Sequence, residues 1–154
     1  MEHSEGARPA EAIQDRRPPR WFIDRVANPV VRRLAPSRLG RRLPVAVLTF
    51  TGRRSGRRFD VPVAVHQVDD QRVVFAAGAW RVNFRGGADA QLLAEGRSTP
   101  VHVTLLEDPA DVGAVFRAAF DTGITPEKIA LRIPSGSQPT DEELAAHRRI
   151  LVLR

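Results

Sequence analysis

LTFTGRRSGRRF, residues 48–59, is a short basic turn set between two apolar runs of the chain. The runs cover residues 45–50 and 61–65, which predicts two strands joined as a β-hairpin. Gly52 and Gly56 permit backbone conformations in which amide groups converge. Each arginine of the turn can hold a phosphate through two parallel hydrogen bonds. The hairpin tip is therefore predicted to bind an anion; a solvated basic turn is the alternative that the spacing leaves open.

The overall composition is that of a soluble globular protein. Of the 154 residues, 42% are hydrophobic and 27% are charged, which predicts a single domain with its own core. The apolar runs fall short of the ~20 residues of a membrane span, and the N-terminal residues lack the apolar segment of a secretory signal. Cysteine is absent, which excludes disulfides, thiol nucleophiles and zinc–thiolate sites. A cytoplasmic location is the expectation.

The net charge of +6 is concentrated in one part of the chain. Residues 16–58 contain thirteen arginines and a single acid, Asp24, whereas the segments on either side are slightly acidic. Such a block can meet nucleic acid, an anionic membrane surface or a phosphorylated small molecule. Few aromatic residues are interleaved with these arginines, which disfavours nucleic acid. A small-molecule ligand and peripheral membrane contact are the partners that remain.

The N-terminal part is predicted to be a tail followed by helices. Residues 1–19 are small, polar and charged, which predicts a disordered tail. In residues 20–39 apolar side chains recur at helical spacing, and Asn28 followed by Pro29 favours two short helices. Their apolar stripe is predicted to pack on the domain's own sheet, with contact to a membrane surface as the alternative. The globular domain is therefore predicted to span residues 20–154.

The remaining pattern predicts a mainly β fold with peripheral helices. Strands are expected at residues 45–51, 61–66, 72–77, 100–106 and 150–153. Helices are expected at residues 87–95, 109–120 and 140–148, with a short helical turn from Thr125. Asp108 is placed as an N-cap residue and Thr140 begins a capping box. Short strands with hairpin connections favour an antiparallel barrel or sheet over a doubly wound α/β fold.

Side chains of the usual catalytic sets are poorly represented. The histidines show no metal-ligand spacing; His66 and His102 fall in predicted strands and are expected to line the barrel or its surface. Ser55 lies in a GRRSG sequence rather than in the strand–turn–helix elbow of a hydrolase. The glycine-rich sequences of P-loop and Rossmann proteins are absent. No catalytic side chain and no metal site are predicted.

A second informative segment is FAAGAWRVNF, residues 75–84. A predicted strand runs into small residues that expose backbone amides. Trp80 and Asn83 follow at a spacing that places them on one face of a helical turn. An aromatic ring beside a polar amide suits the wall of a site for a flat heteroaromatic ligand. A tryptophan that closes the core is the alternative, and both remain open.

Together these segments resemble the deazaflavin-dependent nitroreductase family, split β-barrel proteins common in actinobacteria. Its members have a T-G-R-[RK]-[ST]-G turn, a second strand with a T-P-[VL] element, a third strand ending in small residues, and a W-x-x-N motif. This chain has TGRRSG at 51–56, VPV at 61–63, AAG at 76–78 and WRVN at 80–83. The resemblance covers roughly residues 20–106 and the final strand.

The resemblance implies a split β-barrel of the FMN-binding type that binds coenzyme F420, with FMN as the alternative cofactor. It places the cofactor's phosphate and tail on the arginine-rich turn and its ring along the second and third strands. Hydride would pass from the reduced cofactor to a quinone, nitroaromatic or activated alkene, without a catalytic side chain. The implied cofactor-binding residues are Arg53, Arg54, Ser55, Gly56, Arg57, Arg58, Pro62, Val63, Ala76, Ala77, Gly78, Trp80 and Asn83.

Two of the departures from the family pattern bear on the choice between an enzyme and a binding protein. The chain has no tyrosine, so a proton donor would be Ser55, His66 or solvent. Asp60 places an acid beside the turn that is expected to hold a polyanionic tail. Both features favour the rival interpretation, a non-catalytic barrel that binds a hydrophobic or anionic ligand. Split barrels of this kind often pair, which predicts a homodimer.

Overall fold

The computed structural model describes residues 13–15 and 46–154. In chain order the strands are β1 (Gln14–Asp15), β2 (Ala46–Thr51), β3 (Arg58–Val63), β4 (His66–Val68), β5 (Gln71–Ala76), β6 (Ala88–Ala94), β7 (Arg97–Leu106), β8 (Leu131–Arg132) and β9 (Arg149–Leu153). β1 and β8 pair with each other. The other seven form one antiparallel sheet in the order β3-β2-β6-β7-β9-β5-β4.

This sheet must curl, because its two outer strands are consecutive in the chain. β3 ends at Val63 and β4 begins at His66, so a link of two residues joins opposite edges of the sheet. In a flat sheet of seven strands these edges would lie about 29 Å apart. The link spans at most about 11 Å. The edges therefore come together without pairing, and the predicted mainly β fold with a split barrel is confirmed.

One apolar core fills the inner face of the barrel. Leu48 and Phe50 of β2, Val103 of β7 and Leu151 of β9 are almost fully buried in it. Alternate residues of a strand point to the same face, so Ile150 faces the opposite side. Because a one-residue slip would turn these side chains outwards, the inner core also specifies the register of the strands.

Two α-helices pack against the outer face near β5 and β9. They are α1 (Pro109–Asp121) and α2 (Asp141–His147), and Phe116 of α1 is fully buried in a second core on this side. The Asp108 carboxylate accepts the first free N–H groups of α1. Thr140 and a glutamate three residues later form a complete capping box at the start of α2. Both helices and their predicted caps are confirmed.

The helix predicted at residues 87–95 is wrong, because this segment is the strand β6. It lies between β2 and β7, where Leu92 faces the inner core. Ladder hydrogen bonds on both sides and burial of alternate residues outweigh the helical propensity of its alanines and leucines. Glu95 and Gly96 then form a two-residue hairpin turn with positive φ angles of 51° and 76°, rather than a helix end.

The strand predicted at residues 61–66 is also wrong in its extent. β3 begins earlier, at Arg58, and stops at Val63, whereas His66 already belongs to β4. The break falls where the chain crosses from one edge of the barrel to the other, a tertiary event that the apolar pattern does not mark. The other predicted strands agree with β2, β5, β7 and β9 to within three residues at each end.

Part of the N-terminal stretch has a defined position. β1 pairs with β8 in the register Gln14↔Arg132 and Asp15↔Leu131. These two residues fall within the stretch 1–19 that the sequence predicts to be a disordered tail. The remainder of that stretch, and the two helices predicted in residues 20–39, lie outside the described residues.

Candidate functional site

A cavity of about 650 Å³ opens in the split of the barrel. Residues 59–64 form one side of it, and His66 with residues 74–78 forms the other. β4 covers β5 only as far as Val73. Within the described residues, the rest of β5 therefore has no strand neighbour on this side. The cavity thus lies between two strand edges that do not pair with each other, and its size suits a small organic ligand.

The edge of β3 offers backbone hydrogen-bonding groups to this split. The Gly52 N–H donates to the Arg57 carbonyl at 2.8 Å, and bonded pairs alternate with non-bonded pairs along an antiparallel ladder. By this alternation the pairs that contain Asp60 and Pro62 do not exchange hydrogen bonds with β2. Their carbonyls point to the free edge of β3. Pro62 has no backbone N–H, and at this position no ladder hydrogen bond to β2 requires one. A ligand with polar edge groups can bind these main-chain atoms.

Aromatic side chains close one end of the cavity. Trp80 lies on a 3₁₀-helix, Ala79–Phe84, and is half-buried at 6.0 Å from the ring centre of Phe50. Its indole lies against Gly78, where a Cβ would collide with the ring. Trp80 therefore packs on the inner core and also lines the cavity.

The arginine-rich turn is attached to this aromatic end by Asn83. The Asn83 Oδ1 accepts the backbone N–H of Arg53 at 2.9 Å, and its Nδ2 donates to the Trp80 carbonyl at 2.7 Å. The Arg53 guanidinium also donates to the Gly87 carbonyl at 3.3 Å. A single amide side chain thus holds the basic turn against the helix that carries Trp80. The functional role predicted for Asn83 is not tested by this contact, which by itself is structural.

The amides of the turn are largely used inside it. The Gly52 N–H donates to Arg57, and the Gly56 N–H donates to the Gly52 carbonyl at 2.9 Å. The Arg57 N–H donates to Ser55 Oγ at 3.2 Å. A Cβ on Gly52 would lie 2.6 Å from the Phe59 ring, so a glycine is needed there for packing. Capacity for an anion therefore resides in the exposed guanidinium groups rather than in the two glycine amides.

The structure brings one part of the predicted site together around the cavity and leaves the other part at its rim. Seven of the predicted residues line the cavity: Pro62, Val63, Ala76, Ala77, Gly78, Trp80 and Asn83. Five others lie on the exposed turn beside it, connected through Asn83, and the sixth, Arg58, is the exposed first residue of β3; the five are Arg53, Arg54, Ser55, Gly56 and Arg57. The carbonyls of Ala77 and Gly78 accept from the Arg81 guanidinium at 2.5 and 3.1 Å.

Three basic residues of the cavity were not among the predicted site residues. Lys128, on the 3₁₀-helix Pro126–Ile129, and Arg148, between α2 and β9, line its floor, and His66 lines its side. The pKa of His66 is lowered, first by burial and then by the positive charge of Lys128. No motif marks these positions. His66 was considered as a barrel-lining residue and possible proton donor, and for Lys128 the signal available was its being the single lysine of an arginine-rich chain.

Asp60 does not place an uncompensated charge in the site. Its side chain is only 7% exposed and accepts from the Thr49 hydroxyl at 2.6 Å and from Arg58 Nε at 3.3 Å. The acid that seemed unfavourable beside an anion site is thus neutralised on the strand itself.

Among residues 13–15 and 46–154 there is no group of three or more histidines and acids that could hold a metal ion. Within the same ranges, none of the helices has the length and apolar character needed to cross a membrane.

Comparisons with known proteins give similarities of structure only. No protein-family model matches the sequence, and no curated protein matches it. A solved structure described as a domain-swapped dimer is 14% identical with a TM-score of 0.48, over 85% of this chain and 98% of that one. An F420-H2 dependent reductase is 13% identical with a TM-score of 0.47, over 72% of this chain and 94% of that one.

A third solved structure is an FAD and heme binding protein from Mycobacterium smegmatis. It is 19% identical with a TM-score of 0.42, over 79% of this chain and 64% of that one. At these identities the likeness concerns the fold alone.

Proposed function

We propose that the protein is an oxidoreductase that uses reduced coenzyme F420. The observation that carries this proposal is the cavity between the unpaired edges of β3 and β5, with an arginine-rich turn at its rim. An elongated ligand with a flat ring and an anionic tail matches this arrangement, because the ring would fit in the cavity and the tail would lie on the arginine-rich turn. The resemblance of the TGRRSG, VPV, AAG and WRVN segments to the deazaflavin family supports the choice of F420 over FMN.

The residues present fit such a cofactor. Trp80 and Phe59 supply aromatic surface, and the free edge of β3 supplies carbonyls and an N–H for the polar edge of a ring. The guanidinium groups of Arg54 and Arg57 are exposed and able to hold phosphate or carboxylate. When bound, the reduced cofactor supplies the hydride. The chain would bind, orient and shield the ring, and His66 is a cavity residue that can hold a proton.

The acceptor is proposed to be a quinone, a nitroaromatic compound or an activated alkene. A second candidate function is a non-catalytic carrier that uses the same cavity, and the absence of tyrosine favours it. Self-association as a homodimer, peripheral membrane contact and a cytoplasmic location remain proposals.

The proposed function is tested by titrating the purified protein with oxidised F420, following the fluorescence of the cofactor, with FMN titrated in parallel. We expect F420 to bind with at least micromolar affinity. Arg54→Ala should weaken this binding by about 1.5 kcal/mol, roughly tenfold, because a charge-assisted hydrogen bond to the phosphate is lost.

Arg97→Ala is the matched control. Arg97 is also exposed, but it lies at the end of the barrel opposite the turn. Leu93 near the end of β6 pairs with Val47 near the start of β2, and Arg97 begins β7 just after this end of β6. F420 affinity should be unchanged in this variant. Equal effects of the two substitutions would remove the turn from the binding site. No binding of either cofactor would favour the carrier.

A further inference from the structure

The charges that line the cavity are unevenly compensated. Among the described residues its ionisable lining groups are Asp60, His66, Lys128 and Arg148. Asp60 is neutralised by Arg58. Arg148, 2% exposed, is neutralised by Asp15 through two contacts of 3.1 Å. The two remaining groups, His66 and Lys128, define what we call the basic end of the cavity.

Neither group of the basic end has an acidic partner within the described residues. The Lys128 ammonium donates to the Gly123 carbonyl at 3.4 Å, and the His66 ring packs edge-on against Phe75 at 5.7 Å. Glu127, the chain neighbour of Lys128, does not line the cavity. The imidazole and the ammonium group line the same cavity, and the positive charge of Lys128 helps to lower the pKa of His66. An anion bound between them would be attracted by the ammonium group and could accept an N–H from the imidazole.

The basic end is distinct from the arginine-rich turn. Lys128 lies on the floor of the cavity and His66 on β4, whereas the turn is attached through Asn83 at the aromatic end. A tail held by the turn therefore leaves the basic end to a second molecule. An apolar wall, including Phe75 and Ile129, lies next to it.

We propose that the basic end is a binding site for the anionic group of an aromatic or quinoid acceptor, such as a carboxylate or an ionised hydroxyl. The ammonium group of Lys128 binds the anion, and His66 donates a second hydrogen bond to it. Calling this ligand the acceptor rests on the proposed function, but the anion site itself does not. The site would make anionic acceptors better substrates than neutral ones of the same shape.

The test compares 4-nitrobenzoate with 4-nitrobenzamide, a neutral molecule of nearly the same shape. Dissociation constants are measured by calorimetry on the full-length protein, with and without saturating F420. We expect 4-nitrobenzoate to bind about fivefold more tightly, the effect of one favourable, partly exposed ion pair. Lys128→Gln should abolish this preference and leave binding of the amide unchanged, and Lys128→Arg should restore it.

Arg132→Gln is the matched control, because Arg132 is an exposed base close in sequence that does not line the cavity. It should keep the preference. A second readout is the pKa of His66 measured by NMR, which should rise in Lys128→Gln, since a neighbouring positive charge is removed. Lys128→Arg should leave it low.

The outcomes separate the two proposals. A preference for 4-nitrobenzoate that depends on Lys128 supports the anion site even if F420 does not bind, in which case the proposed function alone fails. Equal affinities for the two probes, or no measurable binding of either one with and without F420, would overturn the anion site. An equal loss of preference in Arg132→Gln would also overturn it, because the effect would then come from general surface charge.

Discussion

The carboxylate of Asp60 is nearly buried on an edge strand, and two neighbours make this tolerable. The Thr49 hydroxyl on β2 lies directly opposite in the register and donates at 2.6 Å, while Arg58 contributes a positive charge from the same strand. A cross-strand pair of this kind stabilises the hairpin that carries the basic turn. Asp60, which departs from the family pattern, is therefore stabilised by a hydrogen bond and an ion pair within the hairpin.

Thr49→Val should destabilise the protein by about 1–2 kcal/mol, because an isosteric side chain leaves an almost buried carboxylate without its shortest hydrogen bond. Thr51→Val is the control, since Thr51 lies on the same face of β2 but is exposed. Its free energy of unfolding should change little. Both values follow from denaturant unfolding, and equal values for the two variants would argue against a role for the Thr49–Asp60 contact.

At the scale of elements, the β6–β7 hairpin turns on two residues in left-handed conformations. Glu95 and Gly96 both have positive φ, as a two-residue turn with the twist of its strands requires. Glutamate is poorly suited to this conformation, whereas asparagine tolerates it. The turn therefore stores a small strain at one residue only.

Glu95→Asn should raise the free energy of unfolding by about 0.5 kcal/mol, because the strained residue is replaced by one that adopts positive φ more easily. Gly96→Ala should lower it by about 1 kcal/mol for the opposite reason. Thermal and denaturant unfolding of the two variants measure both effects. Changes of the same sign would contradict a turn with positive φ at both positions.

At the scale of the whole molecule, the ion pair between Arg148 and Asp15 joins residues that are 133 positions apart. The guanidinium also donates to the carbonyls of Ile129 and Ala130, which form the floor of the cavity. One buried arginine thus connects β1, the second 3₁₀-helix and the start of β9. The position of the cavity floor depends on this contact.

Asp15→Asn should destabilise the protein by about 3 kcal/mol, because a buried guanidinium loses its counter-charge. Combining it with Arg148→Met should recover much of this loss, since no uncompensated charge then remains. Denaturant unfolding of the single and double variants gives the coupling energy. Additive effects of the two substitutions would show that the pair is not energetically coupled.

Much of the fold was accessible from the sequence because it is encoded locally. Alternating apolar residues marked β2, β5, β7 and β9, and cap residues marked α1 and α2, since periodicity and capping depend on neighbours in the chain. The basic turn and the Trp80–Asn83 spacing were also local patterns. The strand pattern predicted an antiparallel barrel or sheet, whereas the residues along the second and third strands were named only through the family resemblance.

The features that the sequence pattern did not reveal depend on residues that meet across the fold. β6 is a strand because β2 and β7 supply its hydrogen bonds, although its composition favours a helix. His66 and Lys128 share a cavity because the link after β3 brings the two edges of the sheet together. The charge of Lys128 acts on His66 through space, and a separation of 62 positions along the chain does not encode this proximity.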